Sequence, residues 1–265
     1  MDIWVVDTFT NRPFSGNPAA VCLVQEFPKI EIMQNIAYEM NLSETTFVKH
    51  IEKLHYHIKW FTPNSEAPLC GHATIAAVHV LVGEGFVPPD QFLTFDSLSG
   101  KFEVSHHKGW FNLNFPCYET KPFASNVNLP QIVNQNPIYV GLTENCILAE
   151  FAEPEQVVNL VPNLSLLAKL PYRALIVTSR DTEYDFISRY FAPKVGIDED
   201  PVCGSAHCRL IPYWNKRLGK TEFTAYQASK RGGVIRCKIL SNDRVLISGQ
   251  AVTVQKGKFI GIKHL

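Results

Sequence analysis

The sequence predicts an α+β chain of two similar, pseudo-symmetric lobes, and three observations lead there. The phrase Pro68-Leu69-Cys70-Gly71-His72-Ala73 returns, half a chain later, as Pro201-Val202-Cys203-Gly204-Ser205-Ala206, which marks an internal repeat of a whole folding unit with one site between the copies. Each copy follows an aromatic turn phrase and opens a helical run, Ala73 to Leu81 or Ala206 to Leu218, stopped by Gly83 or Gly219. Around these runs stand short β-branched and aromatic segments at even spacing, the pattern of a curled antiparallel sheet wrapped on a helix.

In order, Ile3 to Phe9 is a strand, followed by the turn Asn11-Arg12-Pro13. Gly16-Asn17-Pro18 then leads into a second strand ending at Val24. The turn either aims the Asn17 amide at a ligand or is an ordinary hairpin connection. Glu31 to Met40 has helical spacing, with Ile32, Ile36, Ala37 and Met40 apolar. Glu44 to Val48 and His55 to Phe61 are strands, the second delivering the chain to Cys70. Phe92 to Phe95, Lys101 to Val104 and Trp110 to Phe115 complete the first half, and Pro116 to Pro130 reads as a linker. Lobes at 1–118 and 119–265 follow, with a strand near 259–265 returning to the first. In the second half, Pro137 to Gly141, Ile147 to Glu150, Ala174 to Thr178 and Tyr184 to Phe191 are strands, with a helix from Pro154 to Leu170 interrupted at Pro162. Four more strands follow the second Cys-Gly: Phe223 to Gln227, Val234 to Leu240, Val245 to Ser248 and Val252 to Gln255.

The repeated phrase has the chemistry of an anion site. A Cys-Gly pair leading into a helix leaves the first-turn N–H groups free at the positive end of the dipole, and Gly71 and Gly204 allow close approach to the backbone. A thiol there is expected to ionise more readily than an ordinary one. The competing reading takes Cys70 and Cys203 as small buried apolar residues. Glu44, heading a Thr-Thr-Phe-Val strand, is either an exposed edge carboxylate or a partly buried one whose pKa desolvation raises toward neutrality. His72 and His79 share a helix, but their spacing misses i+4 and no carboxylate accompanies them, so a metal site is not read there. Lys230-Arg231-Gly232-Gly233 is a flexible cationic turn, suited to gripping a carboxylate or simply a surface hairpin.

Composition excludes other classes. Lys plus Arg and Asp plus Glu number 25 each, so no basic surface for nucleic acid or acidic membrane is expected. No long uncharged apolar run or signal segment is read. Seven scattered cysteines in a chain of 265 residues read as reduced thiols in the cytoplasm.

Taken together, Phe-Ser-Gly-Asn-Pro-Ala-Ala-Val (14–21), Asn-Leu-Ser-Glu-Thr-Thr-Phe (41–47), Trp-Phe-Thr-Pro (60–63), Leu-Cys-Gly-His-Ala-Thr (69–74), Glu-Asp-Pro-Val-Cys-Gly-Ser-Ala-His (199–207) and Arg-Gly-Gly (231–233) resemble the phenazine-biosynthesis PhzF-like family, which shares the diaminopimelate epimerase fold. The resemblance implies two lobes, each a curled mostly antiparallel sheet around a central helix, with the active site in the cleft between them. It implies proton transfer without metal or organic cofactor, in homodimers. Carried over, Glu44 matches the acid–base carboxylate and His72 and Asp200 its polar partners. Gly71, Gly204 and Ser205 match carboxylate-binding groups, and Asn17, Ser43 and Arg231 are counted with them. Cys70 and Cys203 depart from the phenazine isomerases and match the paired acid and base of the fold's epimerases and racemases. The leading expectation is therefore a cofactor-independent isomerase acting on a small carboxylated metabolite. A two-cysteine epimerase and a non-catalytic binding module are the alternatives.

Overall fold

β-branched runs and glycine-bounded helices give, in the computed structural model, a chain described over residues 1–123, 127–241 and 243–261. It divides into two compact units, one of residues 1–114 with the stretch from Ser248 onward, the other Phe115–Ile247. The expected division at 118 thus falls four residues early. The returning stretch is also longer than the expected 259–265, of which 262–265 lie outside the described residues.

The first unit runs β1 (Asp2–Thr8), β2 (Asn17–Val24), α1 (Ile30–Met40), β3 (Glu44–Glu52), β4 (His55–Phe61), β5 (Glu66–Ala67), α2 (Gly71–Gly83), β6 (Phe92–Ser97), β7 (Gly100–His107) and β8 (Trp110–Pro116). The second runs β9 (Lys121–Pro122), α3 (Leu129–Val133), β10 (Tyr139–Thr143), β11 (Cys146–Glu150), α4 (Pro154–Val158), α5 (Leu164–Ala168), β12 (Ala174–Arg180), β13 (Phe186–Ala192), β14 (Ile197–Asp200), α6 (Gly204–Leu218), β15 (Glu222–Gln227), β16 (Gly233–Ser241) and β17 (Arg244–Gly249). The last strand, β18 (Ala251–Lys258), pairs antiparallel with β1.

Pairing repeats as the sequence does. In the first unit β1–β2, β3–β4, β6–β7 and β7–β8 are antiparallel, while β2–β3 and β4–β6 are parallel. In the second, β10–β11, β12–β13 and β15–β16 are antiparallel, while β11–β12 and β13–β15 are parallel. Parallel neighbours need a long crossover, and in every case a helix lies in the intervening chain: α1, α2, α4 with α5, and α6. The composition of α2 explains its central place in its unit. Ala73, Ile75, Ala76, Ala77 and Val78 are fully buried, so the helix is apolar on all sides and surrounded by protein. One amphipathic face of α1 (Met33, Ile36, Ala37) packs on Ile3, Ala20, Cys22, Phe47 and Phe61.

One local expectation changes. The linker at 116–130 belongs to the second unit, where Lys121 and Pro122 pair with β10. The interruption expected at Pro162 is present: the stretch 154–170 forms two short helices, separated where Pro162 cannot donate. Pro212 stays inside α6 because the Cys208 carbonyl that it leaves unbonded accepts the Tyr118 N–H at 3.0 Å. No helix among the described residues is long and apolar enough to cross a membrane.

The β1–β2 connection is tightly specified. Gly16 has φ +69°, and a Cβ there would sit 2.0 Å from the Thr8 carbonyl oxygen. Backbone cannot yield as a flexible side chain can, so Gly16→Ala should lower unfolding stability by roughly 3 kcal/mol, from left-handed strain plus the clash. Urea unfolding reads this directly, and a loss below about 1 kcal/mol would show that the turn relaxes freely.

Candidate active site

The start of α2 gathers six of the sequence-selected residues, Asn17, Ser43, Glu44, Cys70, Gly71 and His72. Cys70 is the N-cap, in an extended conformation (φ −144°) without a side-chain capping bond. Its carbonyl accepts the Thr74 hydroxyl at 2.6 Å and the Thr74 N–H at 3.2 Å. Glu44 heads β3, and its parallel register with β2 sets it opposite Ala19, two residues from Asn17. These placements bring Glu44, Cys70 and His72 together, with one ligating atom of each within 4.8 Å of the others. The Glu44 Oε2 and His72 Nε2 atoms are 3.0 Å apart as an ion contact without an aligned hydrogen bond. On the other edge of the ring, His72 Nδ1 is 3.4 Å from Cys70 Sγ and 3.4 Å from Asn17 Nδ2. The Asn17 Oδ1 accepts the Ser43 hydroxyl at 3.1 Å. Glu, His and Cys are all metal-ligand types. Here Cys70 Sγ and Glu44 Oε2 contact opposite nitrogens of one imidazole, so the ring engages each of them directly.

Burial and charge compete at this site, and two expectations are overturned. Burial pushes the Glu44 carboxyl up, but the charge and contact of His72 outweigh it and hold its pKa below the ordinary 4.5. The carboxylate is therefore ionised at neutral pH, not tuned toward it. Burial likewise opposes a charged His72, yet Cys70 and Glu44 raise its pKa well above 6.5. The Cys70 thiol is raised, not lowered as its helix start predicts. Burial and the Glu44 charge dominate, and the His72 cation and the Ala73 N–H do not offset them.

The start of α6 in the second unit has related chemistry. Cys203 is again an extended N-cap, its sulfur 3.2 Å from the Ser205 hydroxyl. Its thiol is also raised well above the ordinary 9.0, by burial first and then by the Asp200 carboxylate beside it. Asp200 accepts the Val202 N–H at 3.2 Å. Of the acids before Cys203, Glu199 is instead committed to Arg189 by a two-pronged ion pair at 2.7 and 3.0 Å. The cationic turn is anchored, contrary to its flexible reading: Ser229 donates to the Pro201 carbonyl at 2.7 Å and accepts the Gly232 N–H at 3.1 Å. Arg231 rides on this turn, half-buried.

Sequence reasoning missed Gln227. It is fully buried, accepts the Cys203 N–H at 2.8 Å and donates to the Asp200 carbonyl at 2.6 Å, so one amide ties the cysteine of the second phrase to the residue just before that phrase. The signal was present, since Phe223, Ala225 and Gln227 alternate inward on β15, and an amide on a buried strand face requires partners. Two other histidines stand apart from these groups. His79 contacts Thr253 at 3.1 Å, its pKa lowered to about 4 by burial. His106 is buried and stacked on Phe111.

Residues 6–257 match the family described as phenazine biosynthesis-like protein (PhzC-PhzF). The chain belongs to this family. Among PhzF-like relatives, a Halalkalibacterium halodurans protein named an uncharacterized isomerase is 46% identical over 97% of this chain and 98% of its own. One from Pseudomonas aeruginosa, also named an uncharacterized isomerase, is 46% identical over 96% of each. The crystal structure of a PhzF-family protein from Enterococcus faecalis superposes with a TM-score of 0.92 at 38% identity, covering 98% of this chain and 99% of that one. The PhzF-like fold is thus an α+β arrangement of mixed sheets with few helices, as expected.

Proposed function

We propose that the chain is a cofactor-independent isomerase that moves a proton on carbon in a small carboxylated metabolite, with Glu44 as the proton carrier. The observation that carries this reading is the buried ion contact of Glu44 with His72 at 3.0 Å, which keeps a carboxylate charged and nearly dry. Ionised at neutral pH, Glu44 is in the form that accepts a proton, and its contact with His72 makes it a weaker base than a free carboxylate. Once that proton neutralises Glu44, the His72 imidazolium loses its counter-charge and its field stabilises the carbanion. The start of α2, with Gly71 in the first turn, suits the substrate carboxylate. Asp200, Cys203, Gly204, Ser205 and Arg231 enter through the family pattern. The names of the relatives also support an isomerase.

A second reading, a two-thiol epimerase, draws on the carboxylate beside each N-cap thiol, Glu44 by Cys70 and Asp200 by Cys203. Both thiols are raised, so neither stands ready as a base at neutral pH, and the Glu44 reading is preferred. Solvent-deuterium incorporation into a panel of small amino and hydroxy acids, followed by mass spectrometry, tests both. Cys70→Ser and Cys203→Ser should each keep at least about one-tenth of the exchange rate. A loss of roughly 10³-fold in both would transfer the chemistry to the thiols. Binding without exchange for any acid would overturn catalysis altogether.

A further inference from the structure

Asn17 has no exposed surface in this structure. Its amide instead bridges two residues of the site, with Nδ2 3.4 Å from His72 Nδ1 and Oδ1 accepting from the Ser43 hydroxyl at 3.1 Å. The chain invests in placing it. Thr8 pairs with Asn17 in the β1–β2 register, the Thr8 hydroxyl donates to the Asn17 carbonyl at 2.8 Å, and Gly16 makes the close turn just before it. A position specified this narrowly, with a buried polar side chain, calls for an explanation in terms of what the amide contacts.

In the observed orientation the amide is a donor toward the ring, which suits a neutral His72 whose Nδ1 is an acceptor. An imidazolium carries a hydrogen on both nitrogens and is a donor only. Nδ2 and Nδ1–H would then confront each other, and the sulfur of Cys70, at 3.4 Å, is a weak acceptor. A half-turn of the Asn17 amide removes the conflict by presenting Oδ1 to Nδ1–H and Nδ2 to Ser43. Ser43 tolerates either orientation because a hydroxyl both donates and accepts.

We propose that Asn17 and Ser43 form a rotatable amide–hydroxyl pair that gives His72 a hydrogen-bond partner in either charge state, acting on His72 and not on the substrate. They are positioning residues for proton transfer at Glu44, and this role rests on the proposed reading of Glu44. The groups facing His72 are Glu44 from the head of β3, Cys70 from the α2 N-cap and Asn17 from the head of β2. Glu44 and Cys70 are the titratable ones, and both favour the imidazolium.

The test is nuclear magnetic resonance titration of His72 in the resting protein, with isotope-labelled histidine and no substrate. It therefore succeeds or fails independently of whether any acid is turned over. Asn17→Leu removes the acceptor, and the midpoint should fall by about one unit or more. Asn17→Asp fixes an anion beside Nδ1, and the midpoint should rise by a similar amount. Ser43→Ala removes the group that accepts from the rotated amide, and should lower the midpoint by less than Asn17→Leu. Circular dichroism checks the fold of each variant. An unchanged midpoint in folded Asn17→Leu would overturn the proposal. Should that variant not fold, the absence of any rise in Asn17→Asp would overturn it instead. If the midpoints move as expected while no acid exchanges deuterium, the amide pair stands and the Glu44 reading falls.

Discussion

Glu44→Gln is expected to lower the rate of solvent-deuterium exchange by roughly 10³-fold, with the fold and ligand affinity retained. The substitution preserves shape and one acceptor oxygen and removes only the group that carries the proton. General acid–base groups contribute about 10²- to 10⁴-fold, and a buried position with no second carboxylate at the α2 start among the described residues places the effect within that range. The same change has a spectroscopic signature. The Glu44 charge helps to hold His72 protonated against burial, so the His72 titration should move down in the variant. A rate within ten-fold of the wild type would remove Glu44 from the chemistry. A lost rate with an unmoved His72 would break the link between the two residues.

How legible this site was in the sequence depended on whether a contact was local. The Cys70 and Cys203 N-caps, their helices and the alternating strands follow from spacing, because helical and β periodicities are properties of neighbouring residues. Glu44 stood out because a carboxylate heading a Thr-Thr-Phe-Val strand needs a partner. That the partner is His72, 28 positions on, follows from the β3–β4 hairpin and β5 returning the chain to the start of α2, and no spacing rule shows it. The two pKa errors have one origin: helix-start and burial effects were weighed singly, whereas at Cys70 burial and the Glu44 charge act together against the helix start. At Glu44 the His72 cation reverses what burial alone would do. For Asn17 the local sequence leaves a ligand-facing amide and an ordinary hairpin connection both open. Its complete burial depends on β1, β2 and the Gly16 turn closing around it.

His72→Leu should be the most destabilising change in the site, and its cost should depend on pH in a way that packing loss does not. In the wild type, Glu44 has a lowered pKa. Its contribution is therefore present above the ordinary 4.5 and lost as pH falls through the folded value. His72 has a raised pKa, so its contribution is present below the ordinary 6.5 and lost as pH rises through its folded value. Both act fully between those two ordinary values. Leucine fills much of the imidazole volume but leaves the Glu44 side chain, only 14% exposed, as a charge without a counter-ion. Removing one member of a buried pair typically costs about 3 kcal/mol or more, and that loss is expected at neutral pH. Burial, the largest influence on Glu44, then acts with His72 gone and raises its pKa above the ordinary value. The sign of the pH dependence at this residue reverses, and the variant should regain stability as acid protonates Glu44. Adding Glu44→Gln to His72→Leu should recover a large part of the loss at neutral pH, since the unpaired charge is gone. Urea unfolding of the single and double variants at two pH values, one within the window and one at neutrality, measures every term. An equal deficit at both pH values, unrelieved in the double variant, would reduce His72 to a packing residue and leave the charge of Glu44 supported by something else.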